Sequence, residues 1–107
     1  MYIAMNRFRV VCGREADFEA VWKGRDTRLN SVAGVIEFRL LRGTSSDDHT
    51  LYASHTVWES LQDFENWTHS EAFRAVHRNA GDQRGMYLGH PQFEGFEVVQ
   101  HLAIGSD

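Results

Sequence analysis

The order of periodicities along this chain predicts an α+β domain of the ferredoxin-like, split βαβ type. Three observations carry that expectation. Strand-like alternation over residues 2–11 gives way near Glu15 to a helical i, i+3, i+4 pattern. Two alternating segments then flank a polar turn, and a second helical stretch precedes a last alternating segment. The resulting order, β-α-β-β-α-β, implies a four-stranded antiparallel sheet with its helices on one face. A chain of 107 residues suits one such domain, 1–107, with one modest core.

Each element has a local reason. In the first strand Tyr2, Ala4, Asn6, Phe8 and Val10 share one face, and Arg7 and Arg9 share the other with Ile3 and Met5. Asn6 is the odd member of its face, because a polar side chain among apolar ones must find partners. The helix from about Glu15 buries Phe18, Val21 and Trp22 and ends near Gly24. In "VIEFRLLR", residues 35–42, Ile36, Phe38 and Leu40 stand opposite Glu37 and Arg39. The polar "GTSSDDH" is a turn, and "TLYASHTVW" returns as a strand rich in β-branched and aromatic residues.

Ser60, three residues before Asp63, resembles a capping box and starts a helix bearing Leu61, Phe64 and Trp67. Ser70 is placed to cap a second helical piece bearing Phe73, Val76 and His77. The glycine-rich "AGDQRGMYLGHPQ" shows no period and is predicted to be a surface loop, with the last strand running from Phe93 to Leu102. Aromatic and aliphatic residues on both sheet faces leave the second face in need of cover. In so short a chain a two-fold homodimer is the expected cover, closing a dimeric α+β barrel.

Composition excludes several classes of function. The formal charge of −4 and the lack of a Lys/Arg cluster argue against a nucleic-acid partner. No run of about 18 apolar residues is present to span a membrane. The N-terminus lacks the basic and apolar blocks of a secretory signal, and Cys12, the single cysteine, has no partner for a disulfide, which together suggest a cytoplasmic protein. Phosphate-loop, paired-histidine zinc and C-x-x-C motifs are absent.

Taken singly, the chemically capable residues have ordinary roles. His77 suits a helix C-terminus through the dipole, yet it lies four residues after Phe73 on the same apolar face, where a neutral imidazole can also hold a metal. Trp67 follows Leu61 and Phe64 at core spacing, and Asn6 can bond to backbone.

Taken together they form a pattern. The Asn of "AMNRF", the "TVW" closing the third strand, and "FENWTHSEAFRAVH" with its Trp and His ten positions apart resemble the IsdG-type haem-degrading monooxygenases of the antibiotic biosynthesis monooxygenase superfamily. The resemblance implies haem as both cofactor and substrate, dioxygen as co-substrate, and an external electron donor supplied by a separate reductase. It implies His77 as the axial ligand of haem iron, Trp67 as the residue that presses on and distorts the porphyrin, and Asn6 as a distal hydrogen-bond donor. Phe64, Phe73, Trp22 and Phe38 are the expected apolar walls, and Arg25 and Arg28 are candidates for the haem propionates or, equally, solvated surface cations. Two other activities share parts of this pattern: a cofactor-independent oxygenase of aromatic polyketides, which needs no iron ligand, and a haem-binding protein without turnover.

Overall fold

A computed structural model of the chain describes residues 1–24, 29–71, 73 and 85–105. Its sheet has the order β2-β3-β1-β4, with β1 at Tyr2–Val11, β2 at Val35–Ser45, β3 at His49–Trp58 and β4 at Tyr87–Glu97. Every neighbouring pair is antiparallel. Helix α1 spans Glu15–Gly24 and α2 spans Leu61–Thr68, with a short 3-10 turn at Leu29–Ser31. This is the expected ferredoxin-like arrangement, and both helices lie on one face.

β1 is the central strand, paired along its length to β3 and β4. Its period-2 alternation therefore decides what the helices cover. Phe8 and Val10 join Phe18 of α1, Tyr52 of β3 and Met86 in one buried cluster. Tyr2 and Ala4 join Trp58 and Leu29 in a second, against which Phe64 and Trp67 of α2 pack. Trp58, Tyr52, Phe18 and Val10 are the most deeply buried side chains, each contributing about 1.5–3 kcal/mol of apolar transfer free energy. No buried residue belongs to α2 itself, so that helix rests on the sheet as a partly solvated lid.

Local signals at α2 match the sequence expectation. The Ser60 hydroxyl oxygen accepts from the Asp63 backbone N–H at 3.1 Å, and its O–H donates to the Asp63 carboxylate at 3.0 Å. Gly34 sits against this cap with φ +89, and a methyl group there would overlap the Asp63 carboxyl. Ser70 Oγ accepts from the Phe73 N–H at 3.2 Å, as a cap for a following helical turn would. Val76 and His77, expected on that turn, lie outside the described residues.

Four expectations are corrected. The turn expected over residues 43–49 narrows to 46–48, because β2 runs on to Ser45, which pairs with Thr50, and β3 begins at His49. The stretch predicted to be a loop up to Gln92 belongs to β4 from Tyr87 onward. Its alternation is hidden by a bulge: Arg7 pairs with Gln92 but Arg9 pairs with Leu88, so Gly89 to Pro91 stand where β1 has only Phe8 and β4 carries two extra residues. At the other end β4 stops at Glu97 and not at Leu102, because its partner β1 begins at Tyr2 and nothing remains to pair with. Beyond the bond from Val98 N–H to Met1 O, Val99, Leu102 and Ile104 are largely exposed.

In β2 a second bulge between Val35 and Glu37 sets Val35, not Ile36, opposite Trp58. Ile36 is left 48% exposed while Phe38 and Leu40 keep their inward places.

Gly34→Ala tests the junction between β2 and α2. The substitution forces an L-residue into the left-handed region and crowds the Ser60–Asp63 cap, so a loss of about 2–4 kcal/mol in urea denaturation is expected. A change below about 0.5 kcal/mol would mean that the junction relaxes freely.

Candidate active site

On the helix-side face of the sheet, two polar side chains, Asn6 and Ser54, stand next to each other on the central strands. Reading across in register, Leu40, Ser54, Asn6 and Phe93 stand side by side, and the next row is Phe38, Thr56, Ala4 and Gly95. Asn6 and Ser54 thus lie between the Phe8/Val10 cluster and the Tyr2/Ala4/Trp58 cluster. Asn6 is partly buried, and no described residue hydrogen-bonds its side-chain amide. An amide so placed, with two donors and one carbonyl acceptor unspent, is available to a ligand.

Aromatic pairs flank this row on both sides. Toward β2, Trp22 of α1 stacks on Phe38 at 5.9 Å and 15°. Toward β4, Phe64 of α2 stacks on Phe93, Asn6's neighbour in register, at 5.6 Å and 7°. Trp67 completes the α2 side. It packs on Trp58 at 5.5 Å and meets Phe73 edge to face at 4.8 Å. Asn6, Trp67, Phe64, Phe73, Trp22 and Phe38 therefore all stand on the helix-covered side of one sheet. His77, Arg25 and Arg28, the expected iron ligand and propionate partners, lie outside the described residues. Among the described residues there is no group of three or more His, Cys, Asp or Glu side chains able to hold a metal ion.

Tyr2 and Phe93 were not singled out in the sequence, and both matter here. Tyr2 packs on Phe64 at 5.4 Å, and its ring crosses β4 above Gly95, where any Cβ would collide with the phenol. A glycine amid the aromatic "FEGFE" was the available signal, since a strand glycine often marks the close approach of another group. Phe93 was visible only as the start of a strand.

Trp22 and Phe38 also line a groove of about 370 Å³ on the outer side of α1, together with Glu19, Lys23, Leu40, Arg42 and Tyr52. At its base the Tyr52 hydroxyl donates to Glu19 Oε2 at 2.5 Å, and Arg42 approaches the same oxygen at 3.2 Å. The bond from Tyr52 is the main reason the Glu19 carboxyl is held below its ordinary range, with Arg42 and Lys23 adding to it against the cost of desolvation. Burial, and then the bond to Glu19, push the Tyr52 phenol up.

The geometry can be set beside known proteins. The model of the antibiotic biosynthesis monooxygenase family matches residues 1–79. The chain belongs to that family. No curated protein matches the sequence. Among solved structures, the haem degrader MhuD from Mycobacterium tuberculosis, with two haems bound in its active site, is 24% identical with a TM-score of 0.75. The alignment covers 96% of this chain and all of that one. SnoaB from Streptomyces nogalater, a cofactor-independent oxygenase, is also 24% identical, with a TM-score of 0.68 and coverage of 94% and 95%. At these identities the likeness carries the fold alone, a fold shared by a haem degrader and a cofactor-independent oxygenase.

The Tyr52–Glu19 bond has a pH signature. Because the folded-state pKa of Glu19 is depressed, its contribution is present above the ordinary carboxylate range and is lost as pH falls through the folded value. Tyr52→Phe removes the largest cause. The stability gap between the two proteins, measured by urea titration, should be widest near neutral pH and shrink between about pH 5 and 3. A gap that stays constant over that window would show that another group holds Glu19.

Proposed function

We propose that this chain is a haem-degrading monooxygenase that takes haem as both cofactor and substrate and opens it to a linear tetrapyrrole with release of iron. The observation that carries this reading is Asn6: a partly buried amide with no described hydrogen-bond partner, beside Ser54 in a row flanked by stacked aromatic rings. Such a row suits a large planar aromatic group, with ring faces and edges for its body and one amide for a polar atom at its centre.

When bound, the haem would supply the redox chemistry by which dioxygen is reduced and the porphyrin edge oxidised, with electrons from an external donor or a separate reductase. The chain's residues would do the rest. Phe64 and Phe73 would wall the macrocycle and exclude water, and Trp67, packed on Trp58 and edge-on to Phe73, would press against the ring. Asn6 would donate a hydrogen bond without giving up a proton. His77 would bind the iron, and Arg25 and Arg28 would meet the propionates.

The test is a spectrum. Haem added to the purified protein should give a Soret band that decays under ascorbate in air. His77→Ala should weaken binding or lose the axial-ligand signature. Asn6→Ala should keep the band but slow its decay about tenfold or more, as loss of one preorganised donor does. Equal turnover in both variants would undo the assignment, and a bound haem that survives reductant unchanged would leave a carrier. No Soret band, with oxygen consumed on addition of a polycyclic aromatic polyketide, would favour cofactor-independent oxygenation.

The enzyme is proposed to act as a homodimer joined through the open sheet face. Phe96 and Leu41 stand on that face 46% and 38% exposed, and Val99, Leu102 and Ile104 follow it with little cover from their own chain. Light scattering at micromolar concentration should return twice the 12.3 kDa chain mass. A mass equal to one chain would overturn the dimer.

A further inference from the structure

The bulge in β4 builds something on the opposite side of the sheet from the candidate active site. A recess of about 220 Å³ opens there, lined by Arg7 and Arg9 of β1, Thr44 of β2, His49 and Leu51 of β3, and His90 and Gln92 of β4. In a chain of net charge −4, two arginines and two histidines converge on one concavity.

The partners of these cations differ. Arg7 is paired with Glu94, and His49 Nδ1 is taken by Asp48 at 2.7 Å, with Ser46 Oγ at 3.2 Å. Arg9 has no carboxylate partner among the described residues. Its Nη2 donates only a long bond, 3.5 Å, to the backbone oxygen of Leu88. His90 has no hydrogen-bond partner among the described residues. Two donor groups thus share a polar recess with no protein acceptor of matching charge.

The backbone makes room for this arrangement. Gly89 has φ +63, and a Cβ there would lie 3.0 Å from Arg9 Nη2, so a side chain at 89 would push the guanidinium aside. Pro91, the only proline, falls within the same bulge, where it removes no needed ladder bond. Bulges commonly re-aim side chains next to functional sites, and this one brings His90 and Gln92 to line the recess with Arg9.

We propose that this recess is a binding site for a single small oxyanion, a phosphate or a carboxylate group. The Arg9 guanidinium offers the planar fork that such groups accept, and His90, Gln92 and Thr44 add further donors around it. Seating a second copy on this face would strip water from Arg9 and His90, which makes a counter-ion there more favourable still.

The experiment uses the full chain labelled with nitrogen-15. Inorganic phosphate and, in a parallel arm, acetate are titrated at constant ionic strength set with chloride, and amide shifts are followed. Saturable shifts centred on Arg9, Gly89, His90 and Gln92 are expected, and the arm that saturates at lower concentration identifies the oxyanion class. Arg9→Gln should weaken the apparent affinity at least tenfold and His90→Gln several-fold, with light scattering and urea denaturation showing that each variant keeps the wild-type mass and fold. Arg14→Gln, which alters an arginine paired with Asp17 elsewhere, should leave it unchanged. Shifts that never saturate in either arm, or the same affinity in Arg9→Gln, would overturn the proposal.

Discussion

The alternation of β1, held in place by ladders on both of its edges, is the constraint on which the rest of the structure depends. With β3 on one side and β4 on the other, the strand cannot slip by one residue without exchanging its whole inward set for its outward set. That set is Tyr2, Ala4, Asn6, Phe8 and Val10, and only its middle member is polar. The inward face is thereby divided into two aromatic clusters with a polar seam between them, and each helix is assigned to one cluster. The candidate active site is that seam, because it is where the two central strands, β1 and β3, offer the helices Asn6 and Ser54 in place of apolar side chains.

The seam's surroundings follow from the same register. Phe93 stands beside Asn6 because β4 returns to regular pairing after its bulge, and Phe64 can stack on Phe93 because α2, capped at Ser60, starts immediately after the end of β3. Tyr2 can lie across β4 because position 95 has no side chain. The outward set of β1 has a matching consequence. Arg7 and Arg9 fall on the open face, and the two extra residues that β4 spends between them create the cationic recess. One strand thus presents an aromatic seam to one side and a charged hollow to the other.

The parts of the fold written in short-range patterns were legible in the sequence. The first strand, both helix starts and the Ser60 cap follow from period and capping chemistry acting over a few residues and stand where they were expected, whereas the β2–β3 turn is shorter than its polar sequence implied. The failures share one cause. One inserted residue at Ile36 and two within Gly89–Pro91 interrupt the regular pairing, and whether an insertion is a bulge or a loop depends on a partner strand distant in sequence. The end of β4 was misplaced for the same reason, since a strand stops where its neighbour does.

For the candidate site, the sequence by itself determined which groups are available: one amide on an otherwise apolar strand face, one indole at core spacing on α2, and the aromatic residues around them. It did so because side-chain period is a local property of backbone geometry. Only the tertiary structure decided that Ser54 and Phe93 flank Asn6, that Tyr2 reaches over Gly95, and that the expected walls Trp22 and Phe38 stack on each other and also border the outer groove. Those relations join residues tens of positions apart. Their energies come from packing and register between elements, which no single stretch of the chain encodes.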